Sequence, residues 1–388
     1  MPATPLRLLA AFALGLSVTF VAGPALAQDD KPADPPADKP AQAQDQPAQE
    51  QPQPEKPDEA PAADEPAVTA RERVYNLDNP CGVAVHPKTG HVFVTSTVAI
   101  YRYLPEETDR SKKINIEVVI DPANVDEYGK GPIYKIGPLG LGFLEDGRLI
   151  VGGGGHKDGE ELVRMYKIGD AAPEKPLEEA AAEQTIGPIP MSDESTTGEG
   201  NFYAVAVGKD AVYFSSNGDD TKGWVLKSEL KDGKLGDLTL WLATKPLVEV
   251  DAPIPITFSP DGSELVVGQG GEVNIPEDSL LTKYDPASGE LKFNAPAGGL
   301  YDLTGLAYSP KSGKLYATDF AWAEPEKGGL FQLEIEGDKV TATKVLSLDK
   351  PTAMAFDKDG RLWVTVFGTA EEGSDKSPGK LLLIEGDL

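Results

Sequence analysis

Residues 79–96, NPCGVAVHPKTGHVFVTS, begin with a short apolar run, turn through Lys-Thr-Gly, and return along alternating aliphatic and aromatic residues. Two such runs around a glycine-bearing turn are the signature of a β-hairpin. The same grammar recurs in GPLGLGFLEDGRLIVGG from 137, NFYAVAVGKDAVYFSSN from 201 and PIPITFSPDGSELVVGQ from 253. It recurs again in DLTGLAYSPKSGKLYATD from 302 and PTAMAFDKDGRLWVTV from 351. Anchored on Gly82, Gly140, Ala204, Pro255, Gly305 and Ala353, the hairpins follow one another at intervals of 58, 64, 51, 50 and 48 residues. Periods near 50 residues in an all-β pattern predict propeller blades.

Further apolar runs complete each unit. Third strands are expected at Ala99–Leu104, Glu161–Ile168, Trp224–Leu230, Ser279–Asp285, Gly329–Ile335 and Lys380–Glu385. Outer strands are expected at Ile114–Asp121, Asp237–Thr244, Leu291–Ala295 and Val340–Leu348, with a weaker signal within Glu183–Pro190. The sixth unit ends at Leu388 after its third strand, and Arg71–Leu77 supplies the missing fourth from the other end of the domain. Such a latch closes the ring and leaves no major open edge. The expectation is an all-β, six-bladed β-propeller of four-stranded blades over 71–388.

What precedes the ring is different in kind. In residues 1–27, Arg7, an apolar run from Leu8 to Val21 and Ala25-Leu26-Ala27 read as a secretory signal with an A-x-A cleavage site. The apolar run is shorter than the roughly 20 residues a bilayer span needs. Residues 28–70 are almost entirely Pro, Ala, Gln, Asp, Glu and Lys, and a segment with nothing to bury is expected to be a disordered linker. The expected product is a secreted or periplasmic protein, with no membrane insertion after cleavage.

The whole chain carries a formal charge of −27. The 28–70 segment holds eleven acidic and three basic residues and Arg7 is the one charge before it, so 71–388 carries −20 of the total. A surface this negative repels phosphate backbones and anionic lipid, which excludes nucleic acid as a partner. A single cysteine cannot form an internal disulfide, so the core has to suffice by itself.

The first hairpin, with its Asn-Pro-x-Gly-Val-Ala-Val opening, resembles an NHL repeat. FSPDGSELVV (258–267) and FDKDGRLWVT (356–365) resemble the gluconolactonase/strictosidine-synthase-like propellers. The resemblance spans 71–388 and implies a six-bladed ring. It also implies a divalent metal in the central channel, held by a Glu, two Asn and an Asp beside the inner strands. At those positions this chain has Asp78-Asn79-Pro80, Gly137-Pro138-Leu139-Gly140, Pro253-Ile254-Pro255-Ile256 and Pro351-Thr352-Ala353, so the ligand set is largely replaced. The lactonase mechanism is therefore not expected to carry over with the fold.

The expected ring sorts the remaining candidates by face. His86 and His91 flank the first hairpin turn, whereas His156 sits between second and third strands at the opposite end, so the three cannot share a metal. His86 occupies the position of Gly208, Ser259, Ser309 and Asp357 in sibling repeats and reads as a turn residue. Cys81, aligned with Leu139, Ile254, Thr304 and Thr352, has no base in reach and reads as a structural thiol. Polar residues gather at the lead-ins to inner strands and the ends of second strands: Asn79, Glu199, Asn201, Asn217, Asp219, Asp220, Gln269, Asp302 and Asp319. They are read either as ligand-binding groups or as ordinary soluble turns. In the first case Asp302, Asp319 and Asn201 are candidates for Ca²⁺, which accepts six to eight oxygens.

Five blades lengthen the connection between second and third strands, at 152–160, 217–223, 268–278, 319–328 and 367–379. All five additions fall on one face, and loops on a rigid ring are where binding evolves. Phe320 and Trp322 lie in one of them, either as contact residues or packed over the adjacent blade. No G-x-S-x-G, H-E-x-x-H, phosphate loop or dinucleotide fingerprint is present. The leading expectation is a binding module engaging a protein, glycan or small molecule. The alternatives are a divergent metal-dependent lactonase- or esterase-like hydrolase and a structural periplasmic scaffold.

Overall fold

In the computed structural model, residues 68–97, 99–105, 115–119 (backbone), 136–169, 176–217, 222–273, 275–374 and 376–388 are described. The expected signal, almost all of the linker, and Asp219 and Asp220 lie outside them. The described residues form six antiparallel sheets, each with at least four strands and almost no helix. Blade one runs Val83–Val85, Val92–Thr95, Ala99–Tyr103 and Asn115–Val119 from the axis outward. Blade two runs Leu141–Phe143, Arg148–Gly152, Val163–Lys167 and Gln184–Ile186. Blade three is Phe202–Val207, Ala211–Ser216, Trp224–Lys231 and Thr239–Ala243. A two-residue strand, Lys234–Leu235, which sequence reading missed, also pairs with its third strand. Blades four and five are Pro253–Phe258, Leu265–Gln269, Leu280–Tyr284, Leu291–Pro296, and Leu303–Tyr308, Leu315–Asp319, Gly329–Glu336, Lys339–Ser347.

Blade six combines both ends of the domain. Its strands are Pro351–Phe356, Leu362–Val366, Gly379–Glu385 and, outermost, Thr69–Leu77. The latch pairs from Thr69 opposite Glu385 to Leu77 opposite Gly379, beginning two residues ahead of the expected boundary. Val74 and Leu77 are the residues it buries, against Val83, Val92 and Val94 of blade one and Trp363, Leu381 and Leu383 of blade six. Burying two such side chains stabilises the closed ring by about 1.5–3 kcal/mol each. Ion pairs of Arg71 with Glu385 and of Lys380 with Glu72 add only modestly on an exposed surface.

Adjacent blades meet through aliphatic and aromatic layers and through hydroxyls directed at backbone carbonyls. Thr95 Oγ1 donates to Leu139 O (3.2 Å), Ser215 Oγ to Ile254 O (2.6 Å) and Thr304 Oγ1 to Pro351 O (2.8 Å). Ser279 Oγ donates to Tyr301 O (2.8 Å), and Thr352 Oγ1 closes the circle on Pro80 O (2.8 Å). Between blades two and three the backbone itself bonds, Gly140 N–H to Phe202 O at 2.9 Å. That approach explains two of the repeat anchors. A Cβ on Gly140 would stand 2.9 Å from Phe202 O, and one on Gly82 would stand 2.0 Å from Leu139 O. Only glycine lets the inner strands come this close.

Strand alternation fixes sidedness. Each inner strand starts at the end where the second strand finishes, as Pro253 opposite Gln269 and Leu303 opposite Asp319 show. The lead-ins to inner strands and the connections between second and third strands therefore share one face, here called the insertion face.

Candidate functional site

At the insertion end of the axis, apolar side chains from all six blades meet. Cys81, Ile136, Leu139, Tyr203, Ile254, Phe320 and Phe367 form one buried cluster, with Trp322 packed against it. Side chains from six blades can converge only on the axis of the ring, so this cluster plugs the channel mouth. Beneath it, the inner strands line a cavity of about 250 Å³. Its wall carries no charged side chain; Tyr203, Thr257 and Thr304 supply the polar side-chain atoms, and Val83, Val85, Leu141, Val205, Ile256 and Leu306 much of the rest.

The plug explains the chemistry of its members. Burial, with Asp78 as a second cause, pushes the Cys81 thiol well above its ordinary range, and its sulfur bonds to Asn79 O at 3.4 Å. It is a packed, protonated thiol. The Tyr203 phenol is likewise raised, mainly by burial. Phe320 is 2% exposed and stacks on Trp322 with centroids 5.5 Å apart and planes 13° from parallel, while Phe367 meets it edge-on.

His86 is buried and its Nδ1 accepts the N–H groups of Lys88 (3.2 Å) and Thr89 (3.1 Å), while its ring stands edge-on to Phe143. Asp357 and Ser309 accept turn N–H groups at the sibling positions, so the turn reading of these residues is physical. His156 lies at the other end of the ring and gives its backbone N–H to Glu161.

The polar residues of the insertion face form separate local groups. Asp319 accepts the N–H groups of Tyr301 (3.0 Å), Asp302 (2.7 Å) and Ala321 (3.2 Å). Asp302 accepts the N–H of Trp322 at 2.6 Å, so the two carboxylates fold the blade-five loop back over its own inner strand. Asn201, in left-handed backbone at φ 52°, donates to Asn217 O at 3.4 Å. Glu199 accepts Ser195 Oγ (2.7 Å) and Ser216 Oγ (2.5 Å). Gln269 is fully buried, with neither amide atom partnered among the described residues. Asn79, also left-handed (φ 43°), leads into blade one at the rim of the plug.

Two carboxyls on this face are held far from their usual range. Burial pushes Glu161 up to about 8, with Asp158 reinforcing it, against the opposing His156 N–H at 2.6 Å. Burial also pushes Asp302 up to about 7, against the Trp322 N–H and with Asp319 and Asp278 nearby.

The donor set does not fit the channel metal implied by the family resemblance. Cys81, Leu139 and Ile254 occupy the axis where oxygen ligands would have to stand, and Asp302 and Asp319 already accept backbone N–H groups. Among the described residues, no three His, Cys, Asp or Glu side chains are placed to hold a metal. Sequence reading aligned Cys81 with Leu139 and Ile254, three of the seven buried residues of the plug. Phe320 and Phe367 share a repeat position of their own, the first residue after the second strand, each giving its N–H to the residue before the inner strand, and only the closed ring brings them and Ile136 onto those three.

No family profile matches the chain. No curated protein matches it either. Solved structures do. The luciferin-regenerating enzyme aligns over 82% of this chain and 96% of its own, at 13% identity and TM-score 0.51. The soluble aldose sugar dehydrogenase of Escherichia coli aligns over 83% and 100%, at 13% identity and TM-score 0.51. The gluconolactonase XC5397 of Xanthomonas campestris aligns over 81% and 88%, at 13% identity and TM-score 0.49. At these identities the likeness is one of fold alone, and the six sheets of this chain make that fold a six-bladed β-propeller.

Proposed function

We propose that this chain is an exported binding module whose working surface is the insertion face. The apolar plug carries the reading: the axial position at which a metal-dependent propeller hydrolase needs oxygen donors is filled by Cys81, Leu139, Tyr203, Ile254, Phe320 and Phe367. What remains for function on that face is surface, supplied by the lengthened connections. The signal-like residues 1–27 support export, and the acidic Pro/Ala/Gln-rich segment after them would act as a tether. Elemental analysis of purified protein, with hydrolysis assays on glucono-δ-lactone before and after chelation, tests the reading. The expected result is no stoichiometric divalent metal and no chelator-sensitive turnover; one tightly held metal with lactone hydrolysis overturns it.

A second reading is a hydrolase acting on a sugar lactone. It is favoured by Asp302 and Glu161, whose carboxyls titrate near neutrality as a general acid or base must. The aldose sugar dehydrogenase among the fold neighbours is named for action on a sugar. Loss of lactone turnover in Asp302→Asn would support this reading over the first.

A further inference from the structure

Beside the plug, the insertion face has a second feature. Among the described residues the large hydrophobic side chains left exposed are Tyr75, Met191, Leu247 and Ile275, at 69%, 72%, 44% and 52%. Met191 lies in the lead-in to blade three, Leu247 in the short helix Lys245–Val248 leading into blade four, and Ile275 in the insertion of blade four. All three are therefore on the insertion face.

These connections form one continuous strip. Lys222 Nζ donates to Glu194 O, tying the Met191 loop to the blade-three insertion. Lys245 N–H bonds to Lys222 O (3.0 Å) and Thr244 N–H to Gly223 O (2.7 Å), tying that insertion to the helix bearing Leu247. Gly270 N–H bonds to Ala252 O (2.8 Å), tying the helix's exit to the loop bearing Ile275. Gly270 and Gly271 in turn share a small pocket with Trp322 and Asp302, so the strip runs up to the plug.

The charge around it is one-sided. The described residues of the connections 187–201, 222–223, 244–252 and 270–279 contain two basic residues, Lys222, which bonds to Glu194 O and lies over the Trp224 ring, and Lys245, which pairs with Asp251. Asp193, Glu194, Glu249, Glu272 and Glu277 stand exposed in the same connections as the apolar side chains. Exposed aliphatic groups rimmed by one sign of charge fit a macromolecular partner of the opposite sign.

We propose that Met191, Leu247 and Ile275 form the docking surface for a partner protein presenting an aliphatic or aromatic anchor flanked by lysine or arginine. This rests on the binding reading given above and assigns it a place and a partner chemistry. The apolar side chains desolvate the anchor, and the acidic rim speeds encounter and rejects acidic competitors.

The test is selection of a displayed library of random peptides against the full chain, with binders re-measured on two variants. Enriched peptides are expected to combine Lys or Arg with a large apolar residue. They should weaken at least tenfold on Met191→Ser/Leu247→Ser/Ile275→Ser and on Glu194→Lys/Glu249→Lys/Glu272→Lys, and weaken as salt rises. The substituted positions are exposed, so both variants are expected to melt with the wild type. Peptides lacking basic residues, or bound equally by the apolar variant, overturn the surface while leaving a binding module in place. No enrichment at all overturns the surface too, and the chelation assay then decides independently whether the binding reading falls with it.

Discussion

Thr352 Oγ1 donates to the carbonyl of Pro80 at 2.8 Å, joining blade six to blade one across 272 residues of chain. Thr365 Oγ1 reaches Cys81 O beside it at 3.3 Å, and the latch strand covers the outside of the same seam. One seam thus joins the first and last blades by side-chain hydrogen bonds at the axis and by the latch strand outside it.

Leu77 is the residue at which this closure is most exposed to test. It is 3% exposed and contacts both blades of the seam. Leu77→Ala is expected to lower stability by about 2–5 kcal/mol, the usual range for a large-to-small core change. Tyr75→Ala, two residues away on the exposed side, should fall within about 0.5 kcal/mol of wild type. Equilibrium denaturation of the two variants separates them; equal midpoints would mean the latch contributes nothing to the folded ring.

The ring itself was legible because each repeat sets two short, largely apolar runs about a glycine-bearing turn, and that pattern survives in all six. Gln184–Ile186 left only a faint trace because three residues are too few to show alternation. The Lys234–Leu235 ribbon was hidden because its polar turn merges with the flanking strand. The plug was legible only in part. Cys81, Leu139 and Ile254 stand at matching repeat positions, but Phe320 and Phe367 follow their second strands rather than precede an inner one. Convergence on an axis is a property of the closed circle and has no signature in a linear string. The exposed Met191 and Ile275 had even less, since isolated apolar residues in loops follow no period.

Cys81 provides a check on the plug that needs no mutation. A thiol raised by burial and further by Asp78 stays protonated at neutral pH, and it is also sterically covered. In the native protein it should react with Ellman's reagent at least about a hundredfold more slowly than in denaturant. A fast native reaction would place Cys81 at an open channel mouth and remove the plug.

Gly82 tests the close approach of blades one and two. A Cβ there meets Leu139 O at 2.0 Å, and the contacting atom is backbone, so no side-chain rotation relieves it. Gly82→Ala is expected to cost about 2 kcal/mol or more, the scale of overpacking in a tight core. Gly313→Ala is the matched control for side-chain room: a Cβ there meets nothing within 4 Å, although its φ of 71° still disfavours alanine. Calorimetry should show the larger loss at Gly82.

The raised carboxyls set the direction of the pH response. Glu161 sits near 8 in the folded chain against an ordinary value of 4.5, and Asp302 near 7 against 3.8. Between these values the folded state holds protons that the unfolded state has released, so stability falls as pH rises through the window. The penalty for burying a bare carboxylate is absent below about pH 4 and, for Glu161, complete only above about pH 9, on the order of a few kcal/mol. Melting temperature is therefore expected to be higher at pH 6 than at pH 9. The general repulsion within an acidic chain acts the same way, so the discriminating comparison is Glu161→Gln. The amide cannot ionise, and the variant should match wild type near pH 5, gain on it steadily towards pH 9, and show a flatter profile throughout. A variant whose deficit or gain is constant across that range would mean Glu161 is not carrying the proton assigned to it.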